Sequence, residues 1–429
     1  MKRHPSLFAA ALLLAGCGGA DARTITVTSD TELADAVAKA RAGDRIQLAP
    51  GRYSQLRIAN RRIEGAPVTI MGAASADRPT VANIDIDKSS GWSFDSLDVG
   101  GSSGRRGRVV MVTNSTDIAI RNNLIHGLTI NNDPWDEDVT GIGVRNSERV
   151  EVSGNRLRDL GSGVSVAESS EVLFQGNSIA FVREGSHWVA TRKATLRCNR
   201  ISHMFPNLLR KEHPDAIQGW PNKTGNNTDT LIEGNVLSLG GPRAVQGIFM
   251  EGRIAPPGSD QPGGIRNLIV RDNIYYGSSL HGISLGGLEN ALVERNTVLP
   301  SPHTQTEPPP VRSEDGRRSA AIVPRLRTVG DQISGIVRGN IAPRFTIEPG
   351  MQDANNLIVS GRSDGGKAWR KIFATPPTGD DPPLESFLVD PKSPAGKAGQ
   401  GARAICGNLL PPAVGMPSGL DPSMASWPG

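Results

Sequence analysis

The chain has 429 residues, of which 37% are hydrophobic and only 4% aromatic, with 50 Gly and 31 Pro, so any core it builds is thin, aliphatic and interrupted by many turns. Its 47 Lys and Arg against 43 Asp and Glu give a net charge of +4. That balance excludes a nucleic-acid polyelectrolyte and confines any anion site to a local cluster.

Met1-Lys-Arg-His-Pro is a charged start, Leu7 to Leu14 is an apolar run too short to span a bilayer, and Leu14-Ala-Gly-Cys17 follows at once. The order resembles a bacterial lipoprotein signal. That resemblance implies that residues 1–17 are an export signal ending at a lipidated Cys17, that residues 18–23 are a tether, and that the protein is held to a membrane by its lipid. By analogy with lipoprotein sorting, Gly18 after the cysteine implies the outer membrane, facing the periplasm or the surface. Loss of Lys2 and Arg3 with the signal lowers the net charge from +4 to +2. Cys198 and Cys406 then remain, and the sequence fits either a disulfide in an oxidising compartment or buried free thiols.

Thr24-Ile-Thr-Val alternates as a strand, Ser29-Asp-Thr-Glu32 has the form of a helix capping box, and Leu33, Ala36, Val37 and Ala40 fall at helical spacing. Beyond this short helix one phrase keeps returning, a strand ending in Asn: Ile118 to Asn123, Val150 to Asn155, Val172 to Asn177, Ala194 to Asn199, Leu231 to Asn235, Leu268 to Asn273, Leu292 to Asn296 and Gly335 to Asn340. The bare spacings, 177 − 155 = 22 and 199 − 177 = 22, are too short for a helical hairpin repeat and suit one turn of a solenoid. The fold expected is all-β: a single-stranded, right-handed parallel β-helix with three sheets, about 22 residues per coil and a short N-terminal capping helix. It covers residues 24–345, with an irregular C-terminal cap and Pro/Gly-rich tail over 346–429. The asparagines, among them Asn122, Asn155, Asn177, Asn199, Asn273 and Asn296, read as a turn-stabilising ladder with no part in chemistry.

A second strand precedes the Asn by eleven residues in several coils, as from Val144 to Asn155, Val166 to Asn177 and Leu285 to Asn296. That register puts Ile142, Val144, Ile248, Met250, Ile283 and Leu285 inside by alternation. Gln218, Phe249 and Ser284 then form one outward column, with Trp220 and Glu251 in the next. Asp215, Gln246 and His281 share a column of inward parity, which reads either as part of a site or as a buried polar stack.

Chemistry concentrates around Lys211-Glu-His-Pro-Asp-Ala-Ile-Gln218, an insertion dense in titratable groups that runs into a strand with an exposed aromatic, Trp220. The candidates for catalysis are Lys211, His213, Arg243 and His281; those for substrate binding are Asp215, Gln218, Trp220, Gln246, Phe249, Glu251 and Arg253. Against them stand a solvated loop for Lys211 and His213 and surface salt bridges for Arg243 and Arg253. No cofactor is demanded by the pattern. The acidic run Asn131-Asn-Asp-Pro-Trp-Asp-Glu-Asp138 could hold Ca²⁺, or be a solvated loop.

From the capping helix to Ser393-Pro-Ala, the chain resembles the pectate-lyase-like right-handed β-helix superfamily, and its cap phrase, Ala42-Gly-Asp-Arg-Ile-Gln-Leu-Ala-Pro-Gly-Arg-Tyr53 after the short helix, resembles the chondroitinase B and alginate lyase branch. The resemblance implies an acidic polysaccharide bound along one outer face and cleaved by β-elimination. That reaction needs a cation on the uronate carboxylate, a base for the C5 proton and a donor for the leaving oxygen. Arg243 or Arg253, Lys211 or His213, and His281 or water are the respective candidates, the partner being an acidic polysaccharide and the expected state a monomer. The Glu-x-Glu arrangement with which that branch holds Ca²⁺ is absent before Lys211. A uronan C5-epimerase, a glycoside hydrolase and a non-catalytic glycan-binding scaffold are the alternatives. For the hydrolase, Pro214-Asp-Ala-Ile resembles the polygalacturonase Thr-Asp-Gly-Ile, but Asp215 and Glu251 are expected on opposite faces and roughly 16 Å apart.

Overall fold

The computed structural model describes residues 22–72, 77–207, 214–241, 243–253, 263–304, 323–361 and 366–413. The export signal with Cys17, and Lys211 and His213, lie outside these residues. Among those described, no helix is long and apolar enough to cross a membrane.

The chain is a parallel β-helix. One face is a 13-stranded parallel sheet running from Thr24–Val27 to Met351–Ala354. The other two faces merge into one 19-stranded sheet, because the 12-residue strands Arg156–Ala167 and Ser178–Val189 run through the corner between them. Valines, isoleucines and leucines from every coil stack inside, with Ile46, Ile70, Phe94, Ile120, Ile248 and Leu285 all buried.

The Asn ladder forms as the repeat requires. Asn177 donates its backbone N–H and its side-chain Nδ2 to Asn199 Oδ1 at 2.9 and 3.0 Å, and Nδ2 also reaches Val152 O at 2.9 Å. The residue before each ladder Asn turns the corner with positive φ, as at Gly154 (66°), Gly176 (63°) and Gly234 (63°), which is why glycine recurs there. In the first coil of the repeat the ladder member is Asn123. Asn122 is the corner residue itself, with φ 54°, and is exposed beside Asp95. At the other end the ladder outlasts the expected boundary: Asn340 donates to Asn356 Oδ1 at 2.9 Å. Two further strands, Met351–Ala354 and Leu357–Ile358, complete that coil.

The helix Asp30–Lys39 buries Leu33, Ala36 and Val37 on the first coil, with Ser29 Oγ capping Glu32 N. Residues 366–413 cover the outside of one face: Trp369, Phe373 and Phe387 are fully buried in a cluster with Tyr276, Leu299 and Ile341. Cys198 and Cys406 form a disulfide with a Cα–Cα distance of 5.5 Å, pinning this segment to the solenoid. The face carrying Thr140–Arg145, Asp215–Trp220, Gln246–Glu251, His281–Gly286 and Arg325–Val329 has no part in that cluster.

Candidate functional site

This face begins at a corner lined by small residues: Gly141, Gly163, Gly185, Ala216, Gly247 and Gly282. A Cβ on Gly163 would lie 2.7 Å from Gly185 O and 3.0 Å from Ile179 Cγ2; on Gly247 it would lie 2.1 Å from Gly282 O and 2.5 Å from the Tyr275 ring. These positions therefore point into the core, as do Ile142, Ile248 and Ile283 immediately after them. Two successive inward residues bend the strand and reset its alternation. The residue before the pair is thereby freed from strict alternation: His281 stands beside the ring of Phe249, whereas Asp215 is fully buried, as the inward reading expects.

The outer face then reads in register. His187 pairs with Gln218, Gln218 with Phe249, Phe249 with Ser284 and Ser284 with Arg327. The expected column Gln218, Phe249 and Ser284 is present, and Trp220 and Glu251 lie beside it, Trp220 36% exposed. Along the corner, Ser162 pairs with Glu184, Asp215 with Gln246, and His281 with Arg325. Extending the ladder makes one stripe: Glu184, Asp215, Gln246, His281, Arg325, with about 4.8 Å between coils.

The stripe is acidic at one end and cationic at the other. The His281 imidazole stands 6.0 Å from the Phe249 ring, centroid to centroid, and its Nδ1 is buried with no hydrogen-bond partner. Burial, then Arg327 and Arg325, push its pKa down to about 4, so it is an uncharged base at neutral pH. Arg327 Nε donates to Ser284 Oγ at 2.7 Å, which aims that guanidinium along the face.

At the acidic end Asp215 is fully buried, and neither carboxylate oxygen has a hydrogen-bond partner. Burial, then the charges of Glu184 and Glu251, raise its pKa to about 7. His187 sits 5.9 Å from the Trp220 ring and has its pKa lowered to about 4 by burial. Its Nε2 is 3.6 Å from Glu184 Oε2, too long for a hydrogen bond.

Arg243 does not join His281. It lines a separate pocket with His203, Phe205, Ser238 and Asp381, and its guanidinium lies 4.9 Å over the Trp135 ring. Arg253 is exposed, and among the described residues neither Arg243 nor Arg253 has an ion pair. The acidic run before the corner is occupied with its own loop. Asp133 caps Trp135 N, Asn131 donates to Asp136, Glu137 accepts from Thr129 N, and Asp138 pairs with Arg183. Among the described residues no group of three or more His, Cys, Asp or Glu is arranged to hold a metal ion.

Glu184, His187, Arg325, Arg327 and Trp135 were not among the sequence candidates. His187 was within reach: counting eleven back from Asn199 lands on Trp188, and His187 is its outward neighbour. Arg325 and Arg327 follow a long insertion and a register shift between His281 and Ile283, which defeat counting.

No protein-family model and no curated protein matches the chain. Among solved structures it is similar to the PL6 family alginate lyase AlyGC (13% identical, covering 79% of this chain and 53% of that one, TM-score 0.42). It is similar also to pectate lyase Pel9A (12%, 88% and 91%, TM-score 0.43). A third is the GH136 lacto-N-biosidase from Eubacterium ramulus (11%, 79% and 67%, TM-score 0.43). The chain spans about half the length of AlyGC. The parallel β-helix itself rests on the strand pairing; these likenesses carry no argument about superfamily or reaction, since one fold hosts many chemistries.

Proposed function

We propose that this protein is a polysaccharide lyase that binds a uronate-containing glycan along the outer face and cleaves it by β-elimination. The observation that carries this reading is the uncharged His281 imidazole beside the Phe249 ring, with two arginines, Arg325 and Arg327, on the adjoining strand. The arginines take the first role in place of Arg243 and Arg253: they neutralise the uronate carboxylate, which acidifies the C5 proton. His281 takes the second role and accepts that proton. The C5–H electron pair becomes the C4–C5 double bond, the C4–O bond breaks, and water protonates the leaving oxygen. An arriving carboxylate offsets the arginine charges that depress His281, so the base strengthens when substrate binds. Phe249, Trp220 and Gln218 offer ring faces and an amide to neighbouring sugars.

A specific observation favours a second reading, a glycoside hydrolase: Asp215 holds its proton near neutrality beside Glu184 and Glu251, the acid-and-carboxylate pairing that hydrolysis requires. One experiment separates these. The purified chain is incubated with a panel of uronate polysaccharides while the ultraviolet absorbance of the unsaturated product and the release of reducing ends are both followed. Absorbance with reducing ends supports the lyase, and reducing ends alone support the hydrolase. Binding without either leaves a glycan-binding scaffold, and C5 inversion without cleavage identifies an epimerase. We place the protein in the bacterial envelope, anchored through lipid on Cys17; a Cys17→Ser variant released into the soluble fraction is the expected outcome, and an unchanged membrane fraction would contradict it.

A further inference from the structure

We propose that the pocket under the C-terminal segment is a second site, separate from the outer face, that binds the carboxylate of an acidic sugar through Arg243. The pocket is lined by Met204, Phe205, Leu239, Val245 and Arg243, with Asp380 and Asp381 also in its wall, and its cavity volume is ≈ 80 Å³, room for a carboxylate and the edge of the ring that carries it. Its charges are unequal in one respect. Asp381 accepts from Ser238 Oγ at 2.6 Å, and Asp380 is 3.1 Å from His303 Nε2, so both acids are engaged.

Arg243 has no such acceptor among the described residues. Its Nε and Nη2 are shielded from water without a hydrogen-bond partner, and no carboxylate among the described residues pairs with it. The guanidinium is nonetheless held in place, 4.9 Å over Trp135, whose Nε1 donates to Phe205 O at 2.8 Å. Shielded donors without acceptors are costly to keep. A carboxylate supplies two parallel acceptors for such a fork, and the apolar lining suits the face of the ring that carries it.

The proposal rests on the acidic-glycan reading only for its ligand class, and it needs no turnover on the outer face. Trp135 is the reporter. Its fluorescence is the part of the emission lost in Trp135→Phe, and it is followed while glucuronate, galacturonate, glucose, galactose or inorganic phosphate is added to the purified chain. A saturable response to the uronates and none to the neutral sugars is expected. Arg243→Gln should bind about tenfold more weakly or worse, Arg243→Lys should fall between, and His281→Gln should bind as the unaltered chain does. An equal response to glucose and glucuronate, a response to phosphate alone, or unchanged uronate affinity in Arg243→Gln would overturn the site. If Arg243→Gln does not fold by circular dichroism, the Arg243→Lys titration decides in its place. Elimination without uronate binding at Trp135 sinks this pocket alone; binding here without elimination sinks the lyase and leaves the pocket standing.

Discussion

At one corner of each coil Asn155, Asn177 and Asn199 exchange hydrogen bonds until every donor and acceptor of the amide stack is used. At another corner Asp215, Gln246 and His281 stand in a stack of the same spacing, with buried oxygens and a ring nitrogen that have no partner. The same repeat builds both, so periodicity does not distinguish scaffold from site. The state of the polar groups does. A satisfied ladder stabilises the turn and has nothing left for a ligand, whereas unsatisfied groups are expensive unless something binds them.

The contrast is broken most sharply by activity. His281→Gln should lower kcat/KM by about 100- to 10,000-fold with the fold intact by circular dichroism, and the unaltered protein should lose activity on the acid side near pH 4, where His281 gains its proton. Retained activity would remove His281 from the mechanism. Asn177→Ala should do the reverse, costing about 2–4 kcal/mol in urea unfolding because it strands the groups on both neighbouring coils, while kcat/KM at low denaturant stays the same.

Asp215→Asn sharpens the comparison through pH. Between 3.8 and about 7 the unfolded chain has released the Asp215 proton and the folded chain keeps it. Stability of the unaltered protein therefore falls as pH rises across that window and levels off above it. The variant should lack this slope and be more stable by about 2–4 kcal/mol near pH 8, read from thermal or urea melts at several pH values. Identical slopes would mean that the Asp215 carboxyl is hydrated. The smallest effect belongs to the exposed pair Lys193 and Glu171, 2.9 Å apart: Glu171→Gln should leave the urea midpoint almost where it was and activity unchanged, because solvent screens the pair.

Much of the fold was legible from spacing alone. The capping helix, the Asn phrase and the eleven-residue offset rest on local rules of capping, turn chemistry and alternation. Local rules failed where the chain bends or breaks period. The small-residue corner at Gly141, Gly163 and Ala216 breaks the alternation, and His281 stands beside the Phe249 ring while Asp215 stays buried. Asn356, sixteen residues after Asn340, closed a coil too short to count.

By itself the sequence determined the solenoid, its register over the regular coils, and the face on which titratable residues gather, because each of these follows from neighbours a fixed distance apart along the chain. Tertiary structure alone decided that Cys198 pairs with Cys406, that Arg325 and Arg327 arrive beside His281, and that Arg243 leaves that group for Trp135. Those are contacts across insertions of unequal length. Their partners are chosen by how the loops and the C-terminal segment pack on the finished coils, a choice that no period in the sequence encodes.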